Sequence, residues 1–185
     1  MNDEDDEVER RFLTRSDHWK TLTNERRKRF IRQAYPDSLQ QDGVFARVRS
    51  SLFPSGEIKY ERGDKGVMTG LKTPEDEWGV DKEAFERLMS EAGIQNLRKW
   101  RWEISQDGIT FEVDQFTHIR NQRSDLVITE IEFTGDDAVD KARAFSPPEW
   151  VGEEITGLHQ WSNFGLCMNA VSTPLFGRRG ARAAY

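Results

Sequence analysis

Five short stretches of the chain place ionisable side chains two residues apart: Glu7-x-Glu9-x-Arg11, Arg47-x-Arg49, Lys99-x-Arg101, Glu112-x-Asp114 and Glu130-x-Glu132. Side chains of an extended strand alternate between faces, so each set shares one face, with residues such as Val8, Phe12, Phe111, Val113, Ile131 and Phe133 on the other. Any one of these strands reads as an ordinary surface strand with its polar face in water. Water-facing strands, however, mix Thr, Ser, Lys and Gln, whereas these faces repeat Glu-x-Glu and Arg-x-Arg. Carboxylate oxygens are the ligands of Mg²⁺, which is typically shared between one or two carboxylates and a substrate phosphate, and Glu7, Glu9, Glu130 and Glu132 suit that role. Arginine grips phosphate oxygens bidentately and lysine adds a point charge, so Arg11, Arg47, Arg49, Lys99 and Arg101 suit a chain of phosphates. The chemistry these sets describe is phosphoryl transfer, with charge neutralisation and a metal-activated water.

Such faces work only if the fold turns them toward one another. A closed antiparallel barrel does so, with charged faces lining the interior and apolar faces packed against outer helices. Buried charge is tolerable there because acidic and basic strands pair. The alternating runs "RKRFIRQAYP", "GVFARVRS", "LRKWRWEI", "ITFEVDQF" and "DLVITEIEF" supply strands. "DKEAFERLMSEAG" supplies the clearest helix, with Asp81 as cap, an apolar stripe of Phe85, Leu88, Met89 and Ala92, and Gly93 as its end. "SDHWKTLTN" and "DDAVDKARAF" read as short helices, and the acidic start "NDEDDE" as a frayed end. Trp100 and Trp102 are expected to point outward into core contacts.

The 185 residues are enough for one domain, 1–185, and no Pro/Gly/Ser-rich linker divides them; residues 164–185 read as a loose basic tail. Six Trp and eleven Phe provide core material in a chain that is 32% charged. A single cysteine, Cys167, rules out an internal disulfide and a Cys-based zinc site. The net charge of −6 argues against general nucleic-acid binding, and no apolar span of about 18 residues is present, so a cytoplasmic protein that engages no membrane is expected. No "GxxxxGK[ST]" phosphate loop occurs, and His18, His118 and His159 are too scattered for metal spacing.

The ordered series of motifs resembles the CYTH family, the triphosphate tunnel metalloenzymes. "EVERRF" is similar to the family's N-terminal ExExK signature, "FARVR" to its RxR strand, and "YERGDK" to the segment carrying its next lysine. "LRKWRWEI" is similar to its KxR strand, "FEVDQF" to its "WEIDvF" strand, "LVITEIEF" to its "LxxAEIEL" strand, and "WVGEEITGLHQWSN" to its C-terminal segment. Order and spacing hold from about Glu7 to Asn163. The resemblance implies an α+β fold, an eight-stranded antiparallel β-barrel with flanking helices whose tunnel binds triphosphate. It implies Mg²⁺ or Mn²⁺ held by Glu7, Glu9, Glu130 and Glu132, and phosphates held by Arg11, Arg47, Arg49, Lys65, Lys99 and Arg101, with Glu7, Glu9, Arg11 and Lys65 at the reaction itself. Glu75 and Glu77 of "TPEDEW" add a carboxylate pair, and Glu112 and Asp114 are lumen support. Arg11 stands where the family carries lysine. The lumen lysine is assigned to Lys65, with Lys59 and Lys72 as alternatives, and Lys72 is also a candidate phosphate ligand.

The activity implied is metal-dependent hydrolysis of inorganic tripolyphosphate, a nucleoside triphosphate or thiamine triphosphate, by a monomer or homodimer. Two other readings share the fold. A class IV adenylate cyclase would use the ribose 3′-hydroxyl as nucleophile, but "MNDEDD" lacks the His-Phe such cyclases carry upstream. A non-catalytic nucleotide- or polyphosphate-binding module is disfavoured by the paired carboxylates, since anion binding alone favours fewer acids.

Overall fold

A computed structural model of the protein describes residues 6–168. Ten strands form one sheet: β1 (Asp6–Thr14), β2 (Lys28–Ala34), β3 (Phe45–Leu52), β4 (Ile58–Lys65), β5 (Lys72–Gly79), β6 (Asn96–Gln106), β7 (Ile109–Ile119), β8 (Gln122–Arg123), β9 (Val127–Phe133) and β10 (Val151–Glu154). Three α-helices accompany them among the described residues: α1 (Lys82–Glu91), α2 (Ala138–Ala144) and α3 (Asn163–Met168). The order β1-β5-β4-β3-β2-β6-β7-β9 returns to β1, every pair antiparallel, so eight strands close a barrel. β10 extends the far half of β1, and β8 extends β7.

Local chemistry fixes several of these elements. Asp107 and Gly108 both take positive φ, 52° and 79°, the two-residue turn whose twist suits a β-hairpin, and this turn joins the long strands β6 and β7. Helix α1 starts where the Asp81 carboxylate accepts from the Ala84 N–H at 2.6 Å. Its apolar stripe, Phe85 and Leu88, lies with Ala34, Val48 and Tyr60 over the outer face of β2, β3 and β4. Full burial of a Phe side chain is worth about 1.5–3 kcal/mol, so this stripe is a substantial anchor.

A second outer cluster joins Val8 and Phe12 of β1 and Ile131 and Phe133 of β9 to Ala138 and Ala142 of α2, with Trp19 and Trp150. Arg10, also outward, donates to the Ala142 and Phe145 carbonyls at the end of α2, both at 2.8 Å, and to Glu154 of β10. Trp100 and Trp102 point outward as expected, against Phe30 and Trp19.

The third cluster sits inside one end of the barrel. Leu97, Phe116 and Ile128 lie along their strands just beyond the charged Lys99, Asp114 and Glu130, and Tyr35, Ile155, Leu166 and Cys167 close over them. Residues 164–168, expected to begin a loose tail, belong to helix α3 in this plug, with Leu166 and Cys167 buried because they meet that apolar end. Residues 1–5 and 169–185, which include the acidic start and most of that tail, lie outside the described residues, as does the side chain of Glu7. Among the described residues no helix is long and apolar enough to cross a membrane.

Candidate active site

The lumen beyond the plug is a cavity of about 630 Å³. Its wall is charged because the barrel register brings the two-residue pairs side by side. Glu9 faces Glu132 and Arg11 faces Glu130 across β1 and β9, Glu130 faces Glu112 across β9 and β7, and Asp114 faces Arg101 across β7 and β6. On the other side Arg49 faces Glu61, and Lys65 lies between Phe45 and Glu75.

These neighbours form continuous ion networks. Arg101 holds Asp114 bidentately, Nε and Nη2 each at 2.7 Å, and also donates to Glu112 and Glu130. Arg11 pairs with the other oxygen of Glu130 at 2.7 Å. Lys99 Nζ lies 2.5 Å from Asp114 and 3.4 Å from Asn163 Oδ1. Arg47 Nη2 donates to Glu75 at 2.5 Å and Glu77 at 2.9 Å, and Arg49 Nη2 donates to Glu77 at 2.6 Å and Glu61 at 3.1 Å. Lys65 lies 3.3 Å from Glu9 and 3.5 Å from Glu75.

Burial sets the electrostatics. It would raise the Glu130 carboxyl, but Arg11 and Arg101 hold it well below the usual carboxylate range. Burial pushes the Lys99 ammonium down to about 8 even beside Asp114, with Arg101 adding to the depression. Glu132 shifts upward, through partial desolvation and the proximity of Glu112, Glu75 and Glu9, and it makes no ion pair among the described residues. Buried Arg11 Nε likewise has no hydrogen-bond partner there.

Of the residues expected from the sequence, Glu9, Arg11, Arg47, Arg49, Lys65, Glu75, Glu77, Lys99, Arg101, Glu112, Glu130 and Glu132 line this cavity. Asp114 has the expected parity but is fully buried behind Lys99 and Arg101, supporting them rather than meeting the cavity. Lys72 stands on the opposite parity of β5 from Thr73, Glu75 and Glu77 and is not part of the wall, and Lys59 lies exposed against Phe53. Lys65 is therefore the lysine at the lumen. Glu7 is on β1 opposite Thr73; its side chain is outside the described residues.

The structure adds wall residues that sequence reasoning missed. Arg29 pairs with Glu112 at 3.0 Å and with Glu103, one strand over from Arg101. Gln33 Nε2 donates to the Tyr35 hydroxyl at 2.6 Å, and burial raises the Tyr35 phenol, so its own O–H remains a donor. Tyr35, Phe45, His159 and Phe164 form an aromatic group at the plugged end.

Among the described residues no three carboxylate, His or Cys side chains already converge as a metal cage. The donor set still fits a hard divalent cation: Mg²⁺ retains several waters and needs only one or two carboxylates beside substrate oxygens. The mutual repulsion that raises Glu132 among Glu112, Glu75 and Glu9 is the field a cation would relieve.

The chain is similar to known proteins over most of its length. It is 30% identical over 167 residues to an inorganic triphosphatase of Acetivibrio thermocellus, covering 88% of this chain and 94% of that protein. It is 30% identical over 151 residues to an inorganic triphosphatase of Nitrosomonas europaea, covering 77% of this chain and 95% of that protein. The crystal structure of an inorganic triphosphatase superposes with a TM-score of 0.60 at 28% identity, covering 88% of this chain and 97% of the other. No protein-family model matches the chain.

Proposed function

The chain belongs to the CYTH-type family of these inorganic triphosphatases, and from that premise we propose that it hydrolyses a linear triphosphate inside its barrel, with inorganic tripolyphosphate as the preferred substrate. The observation that carries the reading is the cavity wall, where seven cations, Arg11, Arg29, Arg47, Arg49, Lys65, Lys99 and Arg101, alternate with six carboxylates. The choice of inorganic tripolyphosphate is supported by the two relatives, both inorganic triphosphatases.

In this reading Arg11, Arg47, Arg49, Lys65, Lys99 and Arg101 take the phosphate oxygens, each exchanging a carboxylate partner for a phosphate. Glu7, Glu9, Glu130 and Glu132 are the carboxylates that hold Mg²⁺ or Mn²⁺, with Glu75, Glu77 and Glu112 beside them. The metal, when bound, supplies Lewis-acid charge and lowers the pKa of a water molecule. Arg11, two residues along β1 from Glu9, and Lys65, 3.3 Å from the Glu9 carboxylate, orient the terminal phosphoryl group for in-line attack. The water oxygen bonds to the terminal phosphorus as the bridging P–O bond breaks, giving phosphate and pyrophosphate.

The test is phosphate release from tripolyphosphate, ATP and thiamine triphosphate, each with Mg²⁺, Mn²⁺ or EDTA, with cyclic AMP followed in the ATP reactions. Metal-dependent release, fastest from tripolyphosphate, is expected. Cyclic AMP with pyrophosphate would make the protein a cyclase, and binding without turnover would make it a polyanion-binding module.

Lys99 gives this reading a pH signature. Burial pushes the Lys99 ammonium down to about 8, and a bound polyanion favours the charged form, so in this reading binding near that pH draws a proton onto Lys99. Calorimetry of tripolyphosphate binding in EDTA at pH 8, in buffers of different ionisation enthalpy, should show more proton uptake by the wild type than by Lys99→Met. Equal uptake by both proteins would remove Lys99 from the phosphate site.

A further inference from the structure

Arg47 reaches its two carboxylates by crossing strand β4, and it crosses at Gly63. The β3–β4 register sets Gly63 directly opposite Arg47, and the β4–β5 register sets Glu77 on its other side. Pairing runs unbroken through this position, so Gly63 marks neither a bulge nor a turn. Its φ lies outside the left-handed region, so any residue fits the backbone there. Glycine weakens a strand interior and tends to persist there where something approaches closely. What approaches is the arginine: a Cβ on Gly63 would lie 3.0 Å from Arg47 Nε and 3.6 Å from its Cγ and Cζ.

Arg47 has little slack to move aside. Its side chain is 12% exposed, and Nη2 is held by Glu75 at 2.5 Å and Glu77 at 2.9 Å. Nε and Nη1 make no hydrogen bond among the described residues and are the donors left for a ligand. We propose that Gly63 is a positioning residue: its bare backbone lets the Arg47 guanidinium lie flat across β4, so that one edge is clamped by Glu75 and Glu77 and the other faces the phosphates. The inference rests on the reading of the cavity as a triphosphate site, and it adds a residue that touches no substrate.

The test measures tripolyphosphate affinity by calorimetry in EDTA, together with KM and kcat, for Gly63→Ala and Gly63→Val in the wild-type and Arg47→Ala backgrounds. With Arg47 present, Gly63→Ala should weaken binding and raise KM by about tenfold, the scale of one displaced charge-assisted hydrogen bond, and Gly63→Val by more. The change in kcat should be the smaller one. Thermal stability should hold or rise in the alanine variant, which frees less backbone entropy on unfolding. In the Arg47→Ala background the same substitutions should have no further effect, since a residue acting through Arg47 cannot act without it. Wild-type affinity in Gly63→Ala, or equal losses in both backgrounds, would overturn the proposal. Because affinity is read without turnover, a wild type that binds but does not hydrolyse removes only the hydrolase reading, whereas absence of binding removes both. If Gly63→Val does not fold, the alanine series decides alone.

Discussion

Arg101→Ala should cost the protein both its reaction and much of its stability. Arg101 is the side chain on which three carboxylates converge, Asp114, Glu112 and Glu130, and it is 8% exposed. Its removal leaves Asp114, which has no solvent exposure, with Lys99 alone, and Glu130 with Arg11 alone. Breaking a buried charge pair by removing one partner costs about 3–5 kcal/mol. At roughly 2–4 °C per kcal/mol for a chain of this size, the melting temperature should fall by about 10 °C. Turnover of tripolyphosphate should fall by about 10²–10³, the scale of losing one preorganised donor at developing charge. Arg101→Lys separates the effects: the charge stays, the fork to Asp114 is lost, and both losses should be intermediate. Circular dichroism melting and phosphate release measure the two quantities. An unchanged melting temperature would mean that the carboxylates find other partners.

The second large effect has opposite signs in two assays. Glu130→Gln keeps shape but removes the charge between Arg11 and Arg101, so the wall becomes more positive where phosphates are proposed to sit. Affinity for tripolyphosphate in EDTA should rise, because two guanidinium groups no longer have to leave a carboxylate. Metal-dependent turnover should fall by about 10²–10³, since one of the four carboxylates assigned to the cation is gone. Calorimetry in EDTA alongside phosphate release in Mg²⁺ reads both. Weaker binding without metal would show that Glu130 organises the arginines more than it competes for them.

Much of the site was legible because parity survives folding. Where a strand carried charge on one face and apolar residues on the other, as in β1, β7 and β9, the face itself named the lumen residues, and the register then set them side by side. Strand β2 gave no such signal: Arg29 faces the cavity while Arg32, on the other parity, binds Glu86 outside, so neither face of "RKRFIRQA" looks special. Tyr35 and Gln33 escaped notice for the same reason. The lysines were ambiguous because Lys59, Lys65 and Lys72 span a turn, and residue counting across a turn does not preserve parity. Pairing of Thr69 with Lys72 and of Gly66 with Pro74 puts Lys72 outside and Lys65 in the lumen. Asp114 had the right face and the wrong depth, because depth depends on which longer side chains cover it. Helix α3 was read as tail because six residues carry too little periodicity to reveal an apolar face.

Closure of the barrel through β1 and β9 has a consequence in time. The hairpins β3–β4 and β6–β7 pair neighbours in sequence and can form early, but the ring closes only when the first strand meets one near the other end of the chain. Contacts so distant are slow to form, since the entropy of a long loop is lost before they reward it. Glu9 and Arg11 ride on that first strand, so the Lys65–Glu9 and Arg11–Glu130 pairs form only when it docks, while Glu75 and Arg101 already neutralise Lys65 and Glu130 from other strands. The Glu9 and Arg11 side of the lumen therefore draws on both ends of the barrel, and a nascent chain can complete it only after β9 has been synthesised.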